Sequence, residues 1–386
     1  MKIVSIQARA IDCGFQKQAL QTSRVASAMS RFPRFGEKRA SWMWPTKKVF
    51  VRVETCDGTV GWSCTNGGEI VALIVNQHLS RLLAGQPAAD IADLWDQMFF
   101  SLLPCDRSGF SMMAVASVDI AMWDLKAKAA GQALVDTLGG AAAAHLPVYA
   151  TTPRPDDHAG VAWHGLKAAA PFGPEAGDEG LAANVDYMRR FRAAAGHDRP
   201  IMIDAFMAWD ADYTLRFAEA ARDLGLHWIE DPLPPYDLDG MRRLRDRLDG
   251  EVALALGNFA FNRWDCAELL NEGLADILQP DVAWAGGITE TLRILDMAAA
   301  RDVPVIRHNT CEQPWALALA ATRQADALVE FVDRGAASPL YGLMGPAARI
   351  ADGRVAVPAD PAGNRPPPDI LDQFAPSRAP ALKQGS

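Results

Sequence analysis

Apolar positions follow three different rhythms along this chain. At the N-terminus, MKIVSIQARAID alternates apolar and polar residues, the period-two pattern of a half-buried strand. KVFVRVETC at 48–56 does the same, and Asp57-Gly58 before TVGWSC predicts a hairpin. Between 15 and 47 the periodicity fades into a stretch holding Arg24, Arg31, Arg34, Lys38, Arg39, Trp42 and Trp44. It reads as a long loop, and loops of that length are usually functional or disordered. From 69 to about 131 the rhythm is helical. Val115, Val118, Ala121, Met122 and Leu125 fall three or four apart, and Gly131 marks a helix stop.

After 145 the pattern changes to short, continuous apolar runs: LPVYATT (146–152), GLKAAA (165–170), PIMIDAF (200–206), HWIEDP (227–232), VALALGN (252–258), ADILQPDVA (275–283), VPVIRHN (303–309) and ALVEFV (327–332). Helical segments fill most intervals, at 180–195, 211–224, 238–248, 263–273, 287–301 and 313–324. Apolar strands alternating with amphipathic helices indicate a parallel sheet covered on both faces. Eight such units predict a (β/α)8 TIM-type barrel at 141–335, behind an α+β N-terminal capping domain at 1–130. The connection 153–164 has room for only a brief helix, so an imperfect barrel is one outcome. A doubly wound open sheet is the other, but no G-x-G-x-x-G follows the first strand. The segment 336–386, with DGRVAVPADPAG, is expected to form a hairpin or a clasp on the cap, its small polar end frayed.

Composition narrows the class. The 386 residues are 49% hydrophobic and 22% charged, values of an ordinary globular protein. Lys plus Arg is 38 and Asp plus Glu is 47, a formal charge of −9, which argues against nucleic acid or an anionic membrane as partner. The six cysteines are scattered with no C-x-x-C pair, so neither a zinc ribbon nor a disulfide framework is expected. No apolar run approaches the length of a membrane span and the N-terminus lacks a signal-peptide core, so a cytoplasmic location is expected by default.

In such barrels catalytic residues stand at the C-terminal ends of the strands. Reading those ends from the third run onward gives Asp204, Glu230, Asn258, Asp281, His308 and Glu330, at intervals of 26, 28, 23, 27 and 22 residues. Polar residues also end strands as turn formers and helix caps, which is the alternative reading of any one of them. Two acids and an amide on adjacent strands suit a hard cation such as Mg2+. Asp281 and His308 fall on neighbouring strands, where a carboxylate would orient an imidazole as general base. Of the seven histidines only His308 ends an apolar run. His145 and His227 open strands, and with His164 are expected at the opposite rim.

The strings IMIDAF, WIEDPLPP, ILQPDVAWAGGITE, VIRHNT and LVEFVD, with SVDIAMWDLKAKAAGQAL and DGTVGW, resemble the enolase superfamily in its mandelate racemase branch. YATTPRPD, HGLKAAAPFGPEAGDEG and LHWIEDPLPPYDLDGMRRLR look most like L-rhamnonate dehydratases. The resemblance implies Asp204 and Glu230 as metal ligands, Asp281–His308 as the catalytic dyad and Glu330 as partner of the substrate carboxylate. It also implies Lys167 as the first lysine of a K-x-K motif and Arg39 as a substrate-binding arginine in the long loop. Two departures stand out. Ala169 replaces the second lysine, which leaves one-sided chemistry through His308 and disfavours a two-base racemase. Asn258 replaces the third metal-ligand glutamate, so the ion would face two formal charges instead of three. The implied protein is a Mg2+-dependent acid-sugar dehydratase that takes the C2 proton of a small-molecule sugar acid and expels the 3-hydroxyl. It is implied to be a homo-oligomer. An epimerase or racemase on the same fold, and a non-catalytic relative, remain as alternatives.

Overall fold

The computed structural model describes residues 1–14, 24–36, 47–323, 327–336 and 338–374. Strands β1 (Ile3–Ile11), β2 (Lys48–Thr55) and β3 (Val60–Thr65) form an antiparallel sheet in that order, and Gly58 takes φ +83° in the β2–β3 turn. The predicted strand forms, but its alternation is only partial: Ile3, Ile6, Ala8 and Ile11 are buried, and a register shift between Ile3 and Ser5 breaks the period of two and leaves Val4 exposed. The helical stretch breaks into α1 (Gly68–Ile74), which runs on as a π turn to Leu79, then α2 (Ile91–Leu102) and α3 (Phe110–Ala129). Helix α3 is buried over most of its circumference because it lies between the sheet and the barrel. The sheet meets it at Gly61, where a Cβ would fall 1.9 Å from the Ala121 carbonyl oxygen, so only glycine fits.

The second part alternates strands with helices. Strands β4 (His145–Thr151), β5 (Leu166–Ala169), β6 (Ile201–Asp204), β7 (Leu226–Glu230), β8 (Ala253–Leu256) and β9 (Ile277–Leu278) pair in parallel in chain order, and β10 (Val329–Val332) returns to pair with β4. The outer layer is α4 (Gly177–Ala195), α5 (Ala211–Ala220), α6 (Leu238–Leu248), α7 (Arg263–Asn271), α8 (Gly287–Ala299) and α9 (Pro314–Arg323). This is the (β/α)8-type barrel, and a short helical turn at Pro155–His158 is all that fills the first connection.

The ring is weakest where the sequence promised full strands. The run 303–309 is reduced to a single bridge, Leu278 to Val305, and among the described residues no ladder joins it to β10. Pro280 and Pro304 explain the loss, because neither has an N–H for a ladder. Inside the ring, Tyr149, Met202, Trp228, Ala255, Ile277 and Ile306 form a closed core of their own.

The cap lies over the C-terminal mouth. Ala26 N–H donates to Ala170 O (2.8 Å), Thr65 Oγ1 to Ala283 O (2.8 Å) and Trp95 Nε1 to Gly286 O (2.6 Å). Buried Asp119 on α3 accepts from Thr289 N (3.0 Å) at the start of α8. The tail divides its contacts. Strands β11 (Ile350–Ala351) and β12 (Arg354–Ala356) form a hairpin that docks on β4 of the barrel. Asn364 then reaches the cap, donating to Asp124 Oδ1 (2.7 Å) and Trp62 O (2.9 Å), and α10 (Pro368–Gln373) follows.

Candidate active site

Parallel register brings the chemistry to one rim. Asp204 and Glu230 are direct register partners at the ends of β6 and β7. Asn258 stands two residues past β8, Asp281 three past β9, and His308 three past the Val305 bridge. Glu330 projects from β10 and Lys167 from β5. Seven of the eight sequence-derived residues therefore occupy the C-terminal mouth; the eighth, Arg39, lies outside the described residues. His145 and His227 open β4 and β7 at the opposite rim. The backbone at the mouth is strained: Phe206, Met207, Asp231 and Asn309 have φ between +37° and +60°.

His308 Nδ1 lies 2.9 Å from Asp281 Oδ2. An ionised carboxylate only accepts, so the neutral imidazole carries its proton on Nδ1 and keeps a lone pair on Nε2. Burial disfavours the imidazolium, but the Asp281 hydrogen bond and the Glu330 charge outweigh it and push His308 up to about 9. Trp284 packs beside the imidazole at 5.4 Å between ring centres.

Lys167 sits between two carboxylates. Its Nζ is 2.6 and 2.7 Å from the two Glu230 oxygens and 2.9 Å from Glu330 Oε1. All three side chains are about 1% exposed. Burial disfavours the ammonium, yet Glu230 and Glu330 hold Lys167 well above the ordinary lysine range. One ammonium cannot neutralise every acid here. Burial raises Glu230 to about 7 against the pull of Lys167, and it raises Asp204 and Asp231 as well. Glu330 is the exception. Burial opposes its charge, but Lys167 and His308 hold it down to about 2, helped by Thr151 Oγ1 (2.5 Å) and Asn309 N–H (2.6 Å).

The donor set suits a hard divalent cation in kind. Asp204 and Glu230 bring carboxylates, and Asn258 brings an amide oxygen, 3% exposed as a residue, whose Oδ1 has no hydrogen-bond partner. Among the described residues no three His, Cys, Asp or Glu side chains form a metal cage, so the third ligand would have to be that amide.

Sequence reasoning missed several partners. Thr151 ends the first barrel run and could have been read like the six ends that followed it. His158 and Asp333 form a second His–Asp contact (3.1 Å), with Trp163 Nε1 donating to His158 Nδ1 (3.0 Å). Both imidazole nitrogens are engaged there, which leaves no lone pair for chemistry. Gln313, bound to Asp281, had no sequence signal at all.

With this geometry in hand, the likeness to known proteins is informative. Residues 166–362 match the family described as enolase C-terminal domain-like. Residues 43–139 match the mandelate racemase / muconate lactonizing enzyme N-terminal domain. Among solved structures, L-rhamnonate dehydratase from Gibberella zeae is 27% identical with a TM-score of 0.87, covering 96% of this chain and 95% of its own. The Mg complex of rhamnonate dehydratase from the same organism is 27% identical at a TM-score of 0.89, with the same coverage. L-talarate dehydratase from Polaromonas sp. JS666, solved with Mg and L-glucarate, is 27% identical at a TM-score of 0.71, covering 84% of this chain and 91% of its own.

Proposed function

We propose, from the premise that this chain belongs to the enolase superfamily in its mandelate racemase / muconate lactonizing enzyme family, that it is a Mg2+-dependent acid-sugar dehydratase. The observation that carries the reading is the one-sided base. His308, braced by Asp281 at 2.9 Å, shares the mouth with Lys167 and Glu330, while Ala169 offers no second base. Two-base epimerisation needs a proton acceptor and a donor on opposite faces of C2, and elimination needs one group that does both in turn.

Asp204, Glu230 and Asn258 would hold Mg2+, which supplies Lewis-acid stabilisation of negative charge on the substrate carboxylate. Lys167, shared between Glu230 and Glu330, is placed to bind one oxygen of that carboxylate. Glu330 is held by Thr151 and Asn309, so its position is fixed before substrate arrives. With its pKa raised to about 9, His308 is mostly protonated near neutral pH, and it is the deprotonated fraction, growing as pH rises toward 9, whose Nε2 lone pair takes the C2 proton. The same proton then goes to the departing 3-hydroxyl, which leaves as water, and the resulting enol tautomerises to a 2-keto-3-deoxy acid. Arg39 is kept as the substrate-binding arginine that the resemblance implies; it lies outside the described residues.

The test is a library of sugar acids, with L-rhamnonate, L-talarate and L-glucarate as its first members, assayed with Mg2+ for 2-keto acid product and, in D2O, for label at C2. Keto acid formation from at least one acid is the expected result. C2 exchange with inversion and no loss of water would make the protein an epimerase. Neither keto acid nor C2 exchange from any acid would make it a non-catalytic relative.

A further inference from the structure

The dyad is held from behind by a second pair of side chains. Gln313 precedes α9 and is 7% exposed; Trp315, in the first turn of that helix, is 1% exposed. Gln313 Nε2 lies 3.0 Å from Asp281 Oδ1 and 3.2 Å from Oδ2. Its Oε1 accepts from Trp315 Nε1 at 2.9 Å. An indole nitrogen can only donate, so it fixes which end of the amide faces it. The amide therefore turns its NH2 toward Asp281. If it were flipped, two oxygens would face each other in a buried site.

Asp281 is then nearly fully subscribed. Oδ1 also accepts from Ala283 N–H at 2.8 Å, and Oδ2 receives His308. We infer that Gln313 and Trp315 are positioning residues which lock the Asp281 carboxylate, and through it the Nδ1–H tautomer and ring angle of His308. The dyad's catalytic role rests on the dehydratase reading; the clamp itself does not. A carboxylate with one neighbour can rotate about its last bond and offer either oxygen. Two donors besides the imidazole, Ala283 N–H and the Gln313 amide that spans both oxygens, leave one orientation, with one open position on Oδ2 for the imidazole. The charged groups facing His308 are Asp281, Glu330, Lys167 and Asp204, and none of these replaces the Gln313 donor.

The experiment uses the full-length, substrate-free protein labelled with 15N at histidine. Wild type should show a downfield His308 Nδ1–H proton that exchanges slowly with solvent. In Gln313→Met, an unbranched replacement of similar length, that proton should exchange at least tenfold faster and the His308 titration midpoint should fall toward the ordinary histidine value. Trp315→Phe keeps most of the packing but frees the amide to turn, so it should give an intermediate acceleration; it serves if the methionine variant fails to fold. Unchanged exchange and midpoint in a folded Gln313→Met or Trp315→Phe protein would overturn the inference. Because no substrate is present, failure of the dehydratase assay leaves this result standing, and the reverse also holds.

Discussion

Replacing Asp119 with asparagine should stabilise the protein at alkaline pH, although it removes a charge at the cap–barrel junction. Asp119 is wholly buried, with Thr289 N at 3.0 Å and Thr289 Oγ1 at 2.5 Å on its two oxygens. Among the described residues no ion pair reaches it, and Arg293 acts on its charge only from a distance. Burial pushes its pKa from 3.8 up to about 7, against the pull of the Thr289 and Ile288 donors. The folded state thus keeps a proton that the unfolded chain releases near pH 4, so stability falls as pH rises from about 4 to about 7 and stays low above that. Three pH units at about 1.4 kcal/mol each give a cost of about 4 kcal/mol. The donors at the α8 N-terminus, Thr289 and Ile288, favour the charge and are already contained in that shift. Asparagine fills the same space, accepts from Thr289 N–H with its oxygen and donates its amide to the threonine hydroxyl. The variant should therefore gain up to about 4 kcal/mol at pH 8, and less at pH 5. Paired melting curves at the two pH values read the difference. The conversion is roughly 2–4 °C per kcal/mol for domains of 150–250 residues. A variant less stable than wild type at pH 8 would refute the reasoning, because it would mean that the helix end outweighs the burial.

Four other outcomes follow from the geometry. His308→Asn should abolish C2 exchange and dehydration together, by about 10²–10⁴-fold or more, and Asp281→Asn should lower both with the fold intact by circular dichroism; loss of only one activity would split the two roles. Asn258→Glu should tighten Mg2+ binding measured by calorimetry, since it restores a third charge beside Asp204 and Glu230; weaker binding would remove Asn258 from the ligand set. Lys167→Met leaves Glu230 and Glu330 without their shared cation, a change worth about 3–5 kcal/mol for a broken buried pair, so it should lower the melting temperature in EDTA and enlarge the rise given by Mg2+; an unaltered response would count against the shared ion pair. Gly61→Ala drives a Cβ to 1.9 Å from the Ala121 backbone oxygen and should cost several kcal/mol, on the order of the larger single-site effects, seen as lost soluble yield; normal yield would show that β3 and α3 can move apart.

The presence of β1, the Asp57-Gly58 turn, the apolar runs that became β4 to β8 and β10, and the six outer helices were legible in the sequence, because each is a local pattern at the period of its own element. So was the rim of Asp204, Glu230, Asn258, Asp281, His308 and Glu330. A parallel barrel puts every strand's C-terminal end on the same side, so position along a strand converts directly into position in space. What failed was also physical. The runs at 275–283 and 303–309 were apolar enough for full strands, but Pro280 and Pro304 cannot donate to a ladder, and only two residues of β9 and one bridge remain.

Contacts between elements far apart in sequence had no pattern to betray them. Lys167 meets Glu230 across 63 residues, and Gln313 meets Asp281 across 32. The amide orientation of Gln313 depends on a tryptophan that the sequence marks only as apolar. The sequence determined which residues stand at the mouth, because backbone register is a local property summed along the chain. Only the tertiary structure decided which ammonium neutralises which carboxylate, which oxygen faces the imidazole and which groups are left unpaired, because those choices are made by side chains competing for the same few ångströms after the backbone has brought them together.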